Sequence, residues 1–146
     1  MRSSYDKAVE AIGRSVGGLS TKIHAKVDAF GQLVNIILTP GQVHESQVAN
    51  DILAEEKCGS LLADKAYDID SFRQTLAGRG ITAVIPSKKN RLNPTAHDRH
   101  IYKERNIVER FFQKIKRFRR IATRYDKTAR MYLTGVMFVS ILLALK

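Results

Sequence analysis

The sequence predicts an α/β domain in which helices cover a mixed β-sheet. Residues 21–38 have the pattern of a β-hairpin, and residues 60–64 and 81–85 are apolar runs typical of buried strands. A helical segment separates these two runs, and strands that alternate with helices pack as a sheet covered by helices. The chain has 146 residues, 44% of them hydrophobic, which suits one modest domain with its own core.

The N-terminal elements follow from alternation and turn residues. The first 20 residues are polar and interrupted by glycines, so we expect an irregular lead-in at 1–20. Residues 21–28 alternate between apolar and polar side chains, as a half-buried strand does. The turn at 28–31 joins them to a second strand at 33–38, which Pro40 and Gly41 end.

The middle of the chain alternates between helices and buried strands. Apolar residues at helical spacing predict a helix over 44–56, and the apolar run 60–64 ends in a carboxylate, Asp64. We expect a helix over 69–77 and a strand over 81–85, which Pro86 stops.

The C-terminal part is basic and then apolar. Residues 87–99 form a basic loop, and 101 to about 124 are expected to form one long amphipathic helix. Tyr125 and Asp126 interrupt it. Residues 128–145 are expected to form a final apolar helix that packs against the sheet.

The positive charge is confined to one segment. The chain has 25 basic and 14 acidic residues, a formal net charge of +11. Residues 87–130 hold 15 of the basic and 4 of the acidic residues, so the remainder is neutral. Such a segment neutralises phosphates, and it favours a nucleic acid as the partner. A solubilising face or a patch for anionic membranes would have the same composition.

Several classes of protein are excluded. The charged fraction of 27% and only three prolines do not suit a disordered or low-complexity chain. The single cysteine, Cys58, cannot form an internal disulfide, and no cysteine–histidine cluster has zinc spacing. The first residues lack a signal peptide's apolar core, and the apolar run 131–145 is shorter than the about 20 residues of a membrane span. We therefore expect a cytoplasmic protein with no membrane partner.

One stripe of the long helix carries polar residues. With about 100° per residue and Tyr102 as origin, Arg105 falls at about 300°, Glu109 at about 340° and Lys116 at about 320°. The neighbouring face is apolar and holds Val108, Phe111, Phe112 and Ile115. An exposed helix with an incidental i, i+4 pair would also contain Arg105 and Glu109.

The spacing of this stripe resembles a known family. The pattern Tyr102-x2-Arg105-x3-Glu109-x6-Lys116, with Ala63-Asp-Lys-Ala-Tyr-Asp68 upstream, resembles bacterial insertion-sequence transposases of the DDE type that carry the YREK signature. Further similar segments, in the same order, are residues 13–24, 38–42, 109–112 and 125–130. The resemblance extends from about Gly13 to the C-terminus, which makes it more specific than one motif.

The resemblance implies a ribonuclease-H-like fold and metal-dependent DNA transposition. In that family three carboxylates hold two Mg2+ or Mn2+ ions. Asp64 matches the second carboxylate and Glu109 the third, so both are candidate metal ligands. Lys116 and Arg105 would contact DNA phosphate or orient Glu109, and Tyr102 would lie near the scissile end. The implied partner is DNA at the ends of an insertion sequence.

The basic segment supplies the remaining candidates. Its expected DNA-binding residues are Lys88, Lys89, Arg91, Arg110, Lys114, Arg117, Arg119 and Arg120. Simpler roles stay open for the catalytic candidates: Asp64 as the cap of a turn, Glu109 as a partner of Arg105, and Lys116 as a surface residue. Asp68 and Asp70 are expected to cap a helix. The four histidines have no metal-ligand spacing and are expected to be structural or exposed.

The chain departs from the family at its first carboxylate. In the family that Asp lies on a strand before the segment that begins here at Gly13. Asp6 does not follow an apolar strand, and Asp28 lies at a turn. We therefore expect residues 1–146 to be one catalytic domain truncated at its N-terminus, which lacks its first, central strand. A second reading frame or a degraded copy would both explain this.

Three hypotheses remain for the function. The first is a transposase domain that is active only when completed by a frameshifted or separate N-terminal part. Besides DNA, its expected partners are that upstream-frame part or a homo-oligomer. The second is a non-catalytic DNA-binding fragment that regulates transposition. The third is a basic RNA-associated protein, which the order of the matching segments disfavours. A divalent-metal requirement separates the first hypothesis from the others.

Overall fold

The computed structural model describes residues 10–146, and the chain divides into two compact units. The split unit consists of residues 1–43, described from residue 10, and residues 107–146, whereas the inserted unit is the continuous stretch 44–106. Both contain strands and helices, which confirms the α/β class.

The elements are as follows. The strands are β1 (Gly13–Ser15), β2 (Gly18–Val27), β3 (Leu33–Pro40), β4 (Ser60–Leu62) and β5 (Thr82–Val84). The α-helices of the described residues are α1 (Ala49–Leu53), α2 (Asp70–Gly78), α3 (Arg99–Tyr102), α4 (Asn106–Ile115), α5 (Arg119–Ala122) and α6 (Ala129–Ala144). Short 3-10 helices span Glu45–Gln47, Lys65–Tyr67 and Lys103–Arg105. Among residues 10–146, no helix is both long and apolar enough to cross a membrane.

The split unit contains an antiparallel sheet with the order β1-β2-β3. The predicted hairpin is confirmed, with Ile23 opposite Leu38. At its turn the Asp28 carboxylate accepts hydrogen bonds from the amides of Phe30 and Gln32, at 2.9 and 3.0 Å. Gly31 has φ +80°, a backbone conformation that glycine adopts at little cost.

Helices α4, α5 and α6 bury their apolar residues together with one set of strand side chains. The buried cluster is Phe111, Ile115, Ile121, Tyr132, Val136 and Val139. The strand residues packed against it include Ile23, Ala25 and Val27, the apolar positions of the predicted alternation. The final helix thus packs against the sheet as expected.

The inserted unit is built on a parallel pair of strands. β4 pairs with β5 in the register Ser60 with Thr82, and α2 lies between the two strands in sequence, as a β-α-β unit requires. Its buried core cluster consists of Ala49, Leu53, Phe72, Leu76, Ile81 and Ile85. Both predicted strands and the intervening helix are confirmed.

The prediction of one long helix over residues 101–124 is confirmed up to Ile115 and wrong beyond it. A 3-10 turn separates α3 from α4, and Phe118, with φ −83° and ψ 112°, is extended between α4 and α5. On one continuous helix Ile121 would lie about 120° around the axis from Ile115, at about 100° per residue. The interruption lets both residues reach the same core. Five basic residues within 114–120 also repel one another on a regular helix.

Three other features differ from the prediction. β1 and the start of β2 lie within the expected irregular lead-in, whose first nine residues fall outside the described residues. The helix expected over 44–56 is a 3-10 turn followed by the short helix α1, which ends at Ala54 with φ 51°. A single mixed sheet was expected, whereas the strands of residues 10–146 form a three-stranded antiparallel sheet and a two-stranded parallel sheet.

Candidate functional site

Asp64 follows the end of a parallel strand. The amide of Ala63 still donates to the Val84 carbonyl at 3.3 Å, and Asp64 comes next in the chain. Its side chain is half-buried, and its Oδ1 accepts a hydrogen bond from the Ala66 amide at 2.8 Å. Asp64 therefore does cap a turn, the 3-10 helix Lys65–Tyr67, as the simpler interpretation expected. A carboxylate has about four lone-pair sites, so one such bond leaves capacity for a cation.

Glu109 lies in the first turn of α4, on the exposed side of a helix whose other side is anchored. Phe111 and Ile115 are buried in the split unit's core, whereas Glu109 is exposed. The anchored helix therefore fixes the backbone that carries this carboxylate.

Lys116 immediately follows α4 and folds back over it. Its amide donates to the Phe112 carbonyl at 3.0 Å, and its Nζ lies 5.8 Å from the centre of the Phe112 ring. A cation over an aromatic face at this distance is attracted by the ring. Lys116 is exposed, so its ammonium group is both positioned and accessible.

Tyr102 and Arg105 lie together at the end of the inserted unit. The Arg105 guanidinium stands 5.8 Å from the centre of the Tyr102 ring, and His97 meets the same ring edge-on at 5.3 Å between centroids. Both Tyr102 and Arg105 are half-buried. The structure thus brings these two predicted residues into contact.

The five catalytic candidates are divided between the two units. Asp64, Tyr102 and Arg105 belong to the inserted unit, and Glu109 and Lys116 to the split unit. Tyr102, Arg105 and Glu109 lie within the helical run 99–115, which contains the 3-10 turn Lys103–Arg105, and Lys116 directly follows that run. Within residues 10–146, no three histidine, cysteine, aspartate or glutamate side chains are grouped to hold a metal ion.

The DNA-binding candidates differ in exposure. The exposed ones are Lys89, Arg110, Lys114, Arg117, Arg119 and Arg120, whereas Lys88 and Arg91 are half-buried. Three arginines also have internal contacts. Arg119 donates to the Tyr125 hydroxyl, Arg120 pairs with Asp126 at 2.8 Å, and Arg91 pairs with two carboxylates. Their contacts with DNA remain predictions.

The role of Asp68, a buried carboxylate, was not predicted from the sequence. It was expected to cap a helix, but the residue before α2 is Ile69 and no side chain caps that helix. The fully buried Asp68 side chain instead accepts from Arg73 Nε at 2.7 Å, from Arg91 at 3.0 Å and from the Lys88 amide at 2.8 Å. Asp70 is the first residue of α2 and also binds Arg91. No local pattern indicates partners 5 and 23 residues away.

Burial and charge shift two pKa values in the inserted unit. Burial alone would raise the pKa of Asp68, but the Lys88 amide and the two guanidinium groups outweigh it and lower that pKa below 3.8. Burial raises the pKa of Tyr67 to about 12, and the negative charges of Glu45 and Asp64 add to the effect. Tyr67 is therefore a neutral phenol at physiological pH.

The histidines have the structural or exposed roles that were expected. His24 is buried, with its Nε2 2.8 Å from the Thr39 hydroxyl. His44 caps a 3-10 turn by accepting from the Ser46 amide, and His97 packs on Tyr102. His100 is exposed at the start of α3, where its amide binds Asp98.

Comparison with known proteins identifies the family. The family model described as transposase DDE domain matches residues 5–143 and so runs through both units. A Brucella ovis protein whose name describes it as a transposase for the insertion sequence element IS6501 is 41% identical over 112 residues, which are 75% of this chain and 86% of the relative. No solved structure was found to match the chain. The YREK signature itself remains a prediction, but the chain belongs to the family of transposases that contain the DDE domain.

Proposed function

We propose that this chain forms part of the ribonuclease-H-like catalytic domain of an insertion-sequence transposase, which cleaves DNA and joins strands with divalent metal ions. The observation that carries the proposal is the family match through both units. The position of Asp64 supports it, since ligands of open parallel sheets bind beyond the carboxyl ends of the strands.

The proposed metal ligands are Asp64 and Glu109. Both supply carboxylate oxygen, the hard donor that Mg2+ and Mn2+ prefer, so the chemistry of the donors fits. Two such ions, when bound, activate an attacking water or 3′-hydroxyl and stabilise the leaving oxygen of an in-line displacement at phosphorus. Asp64 is half-buried, and Glu109 lies on a helix whose other side is anchored in the core, so each carboxylate is carried by an ordered backbone.

The remaining candidates are assigned to substrate positioning. Lys116, held over Phe112, would contact a DNA phosphate. Arg105, held over Tyr102, would do the same or orient Glu109, and Tyr102 would lie beside the scissile end. Each cation is stacked on an aromatic ring, so binding a phosphate costs less side-chain entropy than with a free lysine or arginine.

A third carboxylate, on a further strand, is part of the proposal. Within residues 10–146, β4 pairs only with β5, and a two-stranded parallel sheet is seldom stable without more strands. The family's first strand would extend the sheet and bring the first Asp. We expect residues 1–146 alone to have little or no cleavage or strand-transfer activity, because two ions need the full carboxylate set.

DNA binding without catalysis is the second candidate function. It is favoured by the exposed basic residues of the segment 87–130, which need only phosphate as a partner. A regulator that competes for the insertion-sequence ends would behave in this way. Glu109→Gln would then leave both DNA affinity and biological effect unchanged.

Variants of the two carboxylates test the catalytic proposal. In a chain extended by the family's first strand, Asp64→Asn and Glu109→Gln should each lower Mg2+- or Mn2+-dependent nicking by at least 100-fold, while DNA affinity changes less than about twofold. Glu104→Gln is the matched control, because Glu104 is an exposed glutamate in the adjacent 3-10 turn. Equal nicking by all three variants would refute the assignment of the ligands.

A further inference from the structure

The basic loop at residues 86–98 is attached to the rest of the inserted unit through Asp68. One carboxylate oxygen, Oδ2, accepts from the Lys88 amide at 2.8 Å, and the other, Oδ1, accepts from Arg91 at 3.0 Å. Oδ1 also accepts from Arg73 Nε at 2.7 Å, and Arg73 donates to the Ile85 carbonyl at 2.8 Å. Asp68 thus connects two residues at the start of the loop, Lys88 and Arg91, to Arg73 of helix α2.

The loop has internal contacts that fit this attachment. The Ser87 hydroxyl donates to the Thr95 carbonyl at 3.0 Å and accepts from the Thr95 amide at 2.7 Å. Arg91 Nε donates to the Asn93 carbonyl at 3.0 Å. The Ser87–Thr95 hydrogen bonds hold the two ends of the loop together, and Asp68 holds its start, so the loop backbone is ordered.

Geometry and charge separate the roles of the loop's basic residues. The Arg91 side chain is only 18% exposed, and its guanidinium forms ion pairs with Asp68 and Asp70. Lys88 gives its backbone amide to Asp68, and the adjacent Lys89 is exposed. The buried carboxylate therefore fixes the backbone from which two lysines project.

We propose that Asp68 is a positioning residue that holds the loop 86–98 so that Lys88 and Lys89 meet DNA phosphates. The proposal rests on the proposed function, because it requires that the chain binds DNA. Asp68 itself is fully buried and touches no DNA. Its contribution is to order the two lysines before binding, which lowers the entropy lost on binding.

The test is a cycle of variants in the full chain, with binding to a 30-base-pair DNA duplex measured over a range of salt concentrations. Asp68→Asn should weaken binding about five- to tenfold. The double variant Lys88→Ala/Lys89→Ala should lower the slope of log affinity against log salt by about 2. In that double variant, adding Asp68→Asn should have no further effect. An equal loss from Asp68→Asn in both backgrounds would overturn the proposal, because it would show general damage.

Asp70→Asn is the matched control. Asp70 also binds Arg91, but its side chain is 77% exposed, so its loss should leave DNA affinity within about twofold. If Asp68→Asn does not fold, as judged by thermal unfolding, Arg73→Gln replaces it, since this variant removes a contact that holds Asp68 in place and leaves every DNA-binding candidate unchanged. This replacement variant should likewise weaken DNA binding only when Lys88 and Lys89 are present. An equal loss with and without the two lysines would overturn the proposal.

Limited trypsin digestion separates failure of this proposal from failure of the proposed function. Cleavage after Lys88 and Lys89, mapped by mass spectrometry, should be at least fivefold faster in Asp68→Asn than in the wild type or in Asp70→Asn. DNA binding by the wild type with no change in cleavage would refute only the positioning role. A wild type that does not bind DNA would refute the proposed function, and the positioning role with it.

Discussion

Two carboxylates four residues apart show how residue environment separates a candidate ligand from a structural group. Asp64 is half-buried and accepts one amide hydrogen bond, at 2.8 Å. Asp68 is fully buried and is surrounded by two guanidinium groups and the Lys88 amide. The first retains lone pairs for a cation, whereas the second is committed to holding the inserted unit together.

Asp68 should stabilise the inserted unit at neutral pH and lose that contribution in acid. Folding lowers the pKa of this carboxyl group, so its stabilisation is present above the unfolded pKa of about 3.9 and is lost as the pH falls through the lower folded value. Asp68→Asn should lower the free energy of unfolding by about 3–5 kcal/mol at pH 7 and by much less near pH 2. Urea denaturation at a series of pH values measures this.

Asp70→Asn is again the control, since an exposed ion pair contributes about 0–1 kcal/mol. An equal effect of both variants would show that Asp68 has no special role.

Sequence alone favoured Asp64 as a site residue, because an apolar run that ends in a carboxylate is a local pattern. The role of Asp68 could not be predicted, since Arg91 reaches it from 23 residues away.

At the scale of elements, the segment that carries Glu109 is organised by long-range packing. The helical spacing of its apolar residues predicted a helix over most of this segment, and α4, with one face buried in the core, confirms that part. The interruption before α5 was not predictable from period alone, because it depends on Ile121 and Ile115 reaching one core. The hairpin was predictable, since alternation and the turn residues Asp28 and Gly31 are local patterns.

A proline at position 119 tests the interruption. Arg119 is the first residue of α5, and the preceding Phe118 is extended, which is the conformation that a following proline requires. Arg119→Pro should therefore change the free energy of unfolding by less than about 1 kcal/mol. Lys114→Pro, inside α4, should cost about 3 kcal/mol or more. Thermal or urea unfolding of both variants gives the comparison, and similar large losses would indicate one continuous helix.

At the scale of the whole molecule, the sequence predicted the α/β class and the family but not the division into units. The predicted strands at 21–38, 60–64 and 81–85 all form. Within residues 10–146 they form two sheets and not the single mixed sheet that was expected, because β2 and β3 pair within the split unit and β4 and β5 within the inserted unit. Which strands pair across a domain depends on contacts distant in sequence, and no local pattern encodes them.

The net charge of +11 and the family membership agree on DNA as the partner, but catalysis requires more than charge. Metal-dependent phosphoryl transfer needs carboxylates at fixed positions, and we assign two of them to Asp64 and Glu109. We expect the third carboxylate, with its strand, to be required for activity.

The most direct measurement is Mg2+- or Mn2+-dependent nicking of a DNA that carries the element's own ends. Residues 1–146 are compared with the chain extended by the family's first strand and with the extended Glu109→Gln variant. We expect nicking by the extended chain alone, with none by the other two proteins. Metal-dependent nicking by residues 1–146 would contradict the account, and it would mean that another carboxylate, Asp6 or Asp28 first, completes the site.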